Sequence, residues 1–129
     1  MKEFRITMTN RPGELARVAN ALSRQGVSIK AVAATAHANQ VVLHLVGHDV
    51  EQTRSALESG GIAFQEMEVM VLLLEDKAGE LARVSDELAQ AGVNLSAIYL
   101  AGRSEDIVEV VLAADDMKKA KKILGDSAL

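Results

Sequence analysis

Apolar and polar positions along this chain follow two periods, and they follow them twice. Phe4-Arg5-Ile6-Thr7-Met8-Thr9 alternates apolar and polar, the pattern of a half-buried strand. Asn10-Arg11-Pro12-Gly13 then breaks the pattern with turn chemistry. Leu15, Val18, Ala19 and Leu22 recur at helical spacing, and Gly26 stops that helix. Ser28–Thr35 and Val41–Val46 read as two further strands joined by a turn at Ala38-Asn39-Gln40. Asp49 is placed to cap a second helix with Val50, Thr53 and Leu57 on one face. Gly60-Gly61 ends it, and Ile62–Glu66 begins a last strand.

The same order returns 66 residues further on. Pro12-Gly13-Glu14-Leu15-Ala16-Arg17-Val18 matches Ala78-Gly79-Glu80-Leu81-Ala82-Arg83-Val84. Gly26-Val27-Ser28-Ile29 matches Gly92-Val93-Asn94-Leu95, and nine of the 18 positions from Pro12 to Ile29 are identical in the two copies. After one extra residue in the second copy, Asp49-Val50-Glu51 meets Asp116-Met117-Lys118. The second copy has strands at Val69–Leu74, Asn94–Ala101 and Ile107–Ala113. Its first helix carries Leu81, Val84, Leu88 and Ala91, and its second, from Asp115 or Asp116, carries Met117, Ala120 and Leu124.

The order β-α-β-β-α-β predicts an α+β fold of two ferredoxin-like repeats, residues 1–66 and 67–129. Each would have an antiparallel sheet of strand order 4-1-3-2 with helices on one face. Ile62 corresponds to Leu129, so the second repeat is expected to lack its last strand and to leave Val69–Leu74 at a sheet edge. That strand is apolar on both faces, and an edge of this kind needs a cover. A strand or helix of a second chain, as in a homodimer, is the expected cover. No turn residue lies between Ile62–Glu66 and Val69–Leu74, so Ile62–Leu74 is expected to run as one bent extended segment rather than a hairpin.

Composition narrows the function. With 129 residues, 49% hydrophobic and 25% charged, the chain is globular, and each repeat alone is too small to be more than marginally stable. The net charge of −4 and the three aromatic residues, Phe4, Phe64 and Tyr99, argue against a nucleic-acid partner. There is no cysteine, which excludes disulfides and thiolate chemistry. No apolar run approaches the roughly 20 residues of a membrane span, and no signal core follows Met1, so a cytoplasmic location is expected. His44 and His48 lie about 13 Å apart if both continue one strand, too far for one metal ion. Asp115-Asp116 and Glu105-Asp106 adjoin element starts and read as caps and loop residues. Lys118-Lys119 and Lys121-Lys122 read as a solvated helix face, and Met67, Met70 and Met117 as core. Arg11 is the one residue that a small phosphatase of the acylphosphatase type would have to use. No nucleophile elbow or phosphate loop is present, so no catalytic residue, metal or cofactor is expected.

The chemistry that repeats is the strand–turn–helix junction: Asn10, Arg11, Pro12, Gly13, Glu14 and Leu15, then Asp76, Lys77, Ala78, Gly79, Glu80 and Leu81. The first N–H groups of a helix lack internal partners and accept a carboxylate or phosphate. A Gly there lets a ligand approach the backbone, and Asn10 or Asp76 offers an oxygen to an ammonium group. The same residues also make an ordinary turn and cap. Strand, Asn/Asp-x-Pro-Gly-x-Leu, helix, then Gly-Val-Asn/Ser-Ile/Leu resembles the ACT domain over nearly the whole chain, with Ala78 departing from the Pro usual in that family. The resemblance implies a non-catalytic regulatory module that binds an amino acid or similar small metabolite. It places the ligand where the turn of one domain meets the start of the second strand of another: Asn10–Leu15 facing Asn94–Ala97, with Asn94 and Leu95 foremost, and Asp76–Leu81 facing Ser28–Ala31, with Ser28 and Ile29 foremost. The alternative is the regulatory subunit of an amino-acid biosynthetic enzyme, acting on that partner without a ligand of its own.

Overall fold

The structure is a computed structural model that describes residues 1–128. Its elements are β1 (Lys2–Thr9), α1 (Glu14–Arg24), β2 (Ile29–His37), β3 (Gln40–Gly47), α2 (Val50–Ser59), β4 (Gln65–Glu68), β5 (Met70–Glu75), α3 (Glu80–Gln90), β6 (Leu95–Ser104), β7 (Ile107–Ala114) and α4 (Met117–Leu124), followed by a 3₁₀ turn, Gly125–Ser127. The chain divides into two compact units. The first is Lys2–Met67; the second runs from Glu68 onward and takes in Met1.

In the first unit the alternation of β1 works as it reads. Phe4, Ile6 and Met8 are buried together with Leu43 and Leu45 of β3, Val18, Ala21 and Leu22 of α1, and Ala56 and Leu57 of α2. The sheet order is β2-β3-β1-β4, the expected ferredoxin-like order. β1 and β2 both pair antiparallel with β3, so they run parallel to each other. The helix α1 ends where Val27 N–H reaches back to the Leu22 carbonyl at 3.0 Å, the closure expected beside Gly26. Asp49 caps α2 by accepting from the Gln52 N–H at 3.0 Å.

The second unit repeats the scheme around Met70, Leu72 and Leu74, Val110 and Leu112, Val84 and Leu88, Ala120 and Leu124. Among the described residues its sheet has three strands, in the order β5-β7-β6, with β5 at an edge. Asp116 caps α4 through the Lys119 N–H at 2.9 Å. No hairpin joins the two sheets: Val69 alone separates β4 from β5. The edge of β5 is partly occupied by residues of its own unit. Leu72 forms an antiparallel bridge with Ala128, and Val69 N–H donates to the Met1 carbonyl at 3.1 Å.

Two helix faces differ from the expected ones. Leu15 and Ala19 were read into the core stripe of α1, but both are exposed, and Ala21 takes their place beside Val18 and Leu22. Leu81 is likewise exposed on α3, where Val84 and Leu88 are buried. Leu15 and Leu81, the second residues of α1 and α3, each line a surface cavity with strand residues of their own unit instead of joining the core. A buried group escaped the pattern as well. Glu3 is fully buried, accepts from Arg5 Nη2 at 2.9 Å, and lies 3.0 Å from Nδ1 of the half-buried His44.

Candidate functional site

In each unit the strand–turn–helix junction is tied to the neighbouring hairpin. Asn10 N–H donates to the Asn39 carbonyl at 2.8 Å, and Asn10 Nδ2 donates to the Ala38 carbonyl at 3.2 Å. Asp76 N–H donates to the Asp106 carbonyl at 2.7 Å. This follows from topology. Parallel β1 and β2 bring the turn after the first strand beside the turn after the second, and β5 and β6 do the same.

The turn then enters the helix through a left-handed glycine. Gly13 has φ 91° and ψ −12°, Gly79 φ 93° and ψ −13°, and each is the N-cap residue of its helix. A side chain at this φ is strained, which is the reason for glycine here. Neither N-cap supplies a side-chain hydrogen bond, whereas Asp49 and Asp116 cap α2 and α4. The opening N–H groups of α1 and α3 are therefore left without a side-chain cap, with the partial positive charge of a helix start.

The charged side chains of the junction are paired locally. Arg11 Nε donates to Glu14 Oε1 at 2.7 Å, and Arg17 Nη2 to Glu14 Oε2 at 3.2 Å. Hydrogen bonds from Arg11 and then Arg17 hold the Glu14 carboxyl below its ordinary value. In the second unit Arg83 Nη2 donates to Glu80 Oε2 at 3.0 Å and lowers the Glu80 carboxyl in the same way. Lys77 pairs with Glu75 at 2.8 Å, which raises the Lys77 ammonium. Arg103 of β6 pairs with Asp76 at 2.9 Å.

A cavity opens beside each junction. In the first unit it measures about 280 Å³ and is lined by Asn10, Arg11, Glu14 and Leu15 together with Met8, Ala34, Ala36 and Val41. In the second it measures about 290 Å³, with Asp76, Lys77, Glu80 and Leu81 joined by Glu75, Ile98, Tyr99, Leu100, Val108 and Val110. The structure thus brings four of the six residues of each expected turn onto one cavity. Pro12, Gly13, Ala78 and Gly79 shape the turns without lining them.

Ser28, Ile29, Asn94 and Leu95 lie elsewhere. Ile29 pairs with Gly47, and the Ser28 carbonyl accepts from His48 N–H at 3.1 Å. Asn94 N–H donates to Asp115 Oδ1 at 3.0 Å, and Leu95 pairs with Ala114. These positions are at the opposite end of their own sheet from the junction, where they anchor the entry to α2 and α4. They can meet a junction only if it belongs to a different unit. The strand residues that do line the cavities were missed by sequence reasoning. Their signal was the exposed leucine at the second position of each first helix, which the helical period misassigned to the core.

No family model and no curated protein sequence matches this chain. Solved structures match closely in fold. Protein BT0572 from Bacteroides thetaiotaomicron is 22% identical, with a TM-score of 0.90 over 99% of this chain and 90% of that one. The ligand-free regulatory subunit of aspartate kinase from Thermus thermophilus is 16% identical, with a TM-score of 0.67 over 97% of this chain and 90% of its own. The corresponding subunit from Thermus flavus gives 0.60 at 16% identity over the same shares. At these identities the likeness is one of fold: the chain has the tandem ferredoxin-like architecture of the ACT type.

Proposed function

We propose that this protein is a non-catalytic regulatory module that binds an amino acid at its strand–turn–helix junctions. The observation that carries the reading is the duplicated site. Two helix starts without side-chain caps each stand beside an apolar cavity of amino-acid size, while the other two helices of the same chain are capped by aspartate. The open N–H groups suit a carboxylate, and the cavity suits a side chain. The likeness to aspartate kinase regulatory subunits supports a regulatory role. In the finer form of the proposal, Ser28, Ile29, Asn94 and Leu95 complete a junction supplied by another unit, the protein works as a cytoplasmic homodimer, and ligand acts by stabilising one packing of the units.

Catalysis is not part of this reading. Arg11, which a phosphatase would aim at phosphate, is committed to Glu14 at 2.7 Å. A second reading has its own support. The chain covers 90% of the regulatory subunit of aspartate kinase from Thermus thermophilus, which favours an enzyme partner as the target.

The test is a thermal-shift screen of the whole chain against the twenty amino acids, with calorimetry on the hits. A ligand at 100 times its dissociation constant adds about 2.7 kcal/mol, a shift of several degrees for a chain this small. A selective hit that is lost on replacing Gly13 or Gly79 by a bulkier residue, in a variant that still folds, supports the amino-acid reading. No hit at millimolar concentration favours the ligand-free subunit, to be pursued by pull-down of its enzyme.

A further inference from the structure

The two copies differ by one inserted residue, and the structure locates it. In β6, Leu100 pairs with Val110 and Gly102 with Glu109, so Ala101 is left over as a bulge. At the matching place β2 pairs regularly from Ala31 to His37. Matched through their partners on the central strand, Ala34 (opposite Leu43) corresponds to Leu100, and Ala36 (opposite Val41) to Arg103, which stands opposite Val108. The bulge therefore separates two changes. Before it, at the unshifted offset of 66, Leu100 stands where the first unit has Ala34 at the cavity, and after it Arg103 takes the place of Ala36 and pairs with Asp76 at 2.9 Å. Bulges of this kind re-aim side chains beside binding sites.

We infer that the cavity of the second unit is a side-chain pocket selective for aliphatic amino acids, with Leu100 and Leu81 as its specificity-determining residues. This rests on the reading of the protein as an amino-acid binder. Leu100 is 67% exposed and Leu81 58%, so both present apolar surface that an apolar side chain would take out of water. The charged residues at the rim are already in ion pairs: Lys77 with Glu75, Asp76 with Arg103, and Glu80 with Arg83. A charged ligand side chain would have to break one of these pairs to be matched. The volume of about 290 Å³ lies at the lower end of small-molecule pockets, which suits a single amino acid rather than a dipeptide or a nucleotide.

The test is calorimetric titration of the whole chain, wild type and Leu100→Ser, with leucine, valine, alanine, lysine and glutamate. Far-UV circular dichroism checks the fold of the variant. Leucine or valine is expected to bind at least about tenfold more tightly than alanine, the discrimination typical of a hydrophobic pocket. Leu100→Ser is expected to weaken the aliphatic ligand by about tenfold with little change for alanine, and Leu81→Ser to repeat that loss. Preference for lysine or glutamate overturns the inference and leaves amino-acid binding intact. So does a loss of leucine affinity in Leu15→Ser without one in Leu100→Ser, which would move the site to the first unit. Failure of all twenty amino acids to bind overturns the amino-acid reading itself, and this inference with it.

Discussion

Gly13 and Gly79 occupy backbone that an L side chain enters only with strain, yet a Cβ at either would meet no atom within 4 Å. Gly13→Ala is therefore expected to cost about 1 kcal/mol through conformation alone, read by urea denaturation. The opposite case is Ala38, an alanine at φ 55° in the hairpin turn. Ala38→Gly relieves strain there and is expected to stabilise by about 0.5 kcal/mol, the relief exceeding the entropy that glycine adds to the unfolded chain. The first-helix leucines separate as sharply. Leu22 is 2% exposed and Leu15 54%. Leu22→Ala should cost about 2–5 kcal/mol, whereas Leu15→Ser should stay within about 0.5 kcal/mol. The periodicity placed both on one face. It could not register that Leu15 lines a surface cavity beside the turn whereas Leu22 packs in the core.

At the scale of elements, the four helices begin in two ways. Asp49→Ala removes the acceptor for the Gln52 N–H and is expected to cost about 1 kcal/mol by chemical denaturation. In α1 and α3 the first-turn glutamate is instead held by arginine, and its carboxyl is lowered. A carboxyl lowered in the folded state contributes stability that is complete above its ordinary value near 4.5 and is lost as pH falls below it. The unfolding temperature is thus expected to fall more steeply with acid for wild type than for the Glu14→Gln/Glu80→Gln double variant, with the difference appearing only below about pH 4.5. The arginines that hold them, Arg11, Arg17 and Arg83, are well exposed, so 1 M salt should reduce the gap. These pairs were legible as Glu-x-x-Arg in the sequence. The ion pair between Asp76 and Arg103 was not, because it depends on the bulge in a strand 27 residues away.

For the whole molecule, the repeat supplies two cores, each closed within its own unit. Leu45 and Leu112 are each at most 1% exposed in their respective cores. Leu45→Ala and Leu112→Ala should each cost about 2–5 kcal/mol. Amide hydrogen exchange is expected to show the greatest loss of protection in the unit that carries the substitution. The edge strand β5 was expected to need a cover, and Ala128 and Met1 supply part of one from its own unit.

By itself the sequence determined the element order, the duplication, the strand order and the junctions, because periodicity, turn residues and caps are local and carry their physics in neighbouring positions. It also registered the inserted residue of the second copy. Where that residue emerges, which leucines leave the core, and that Glu3 is buried between Arg5 and His44 were decided by tertiary structure. Each of these depends on residues far apart in the chain and close in space. The same holds beside the cavity: Ala36 and Arg103 become equivalent through their partners across the sheet, and register past the bulge is set by pairing rather than by the repeat's offset of 66.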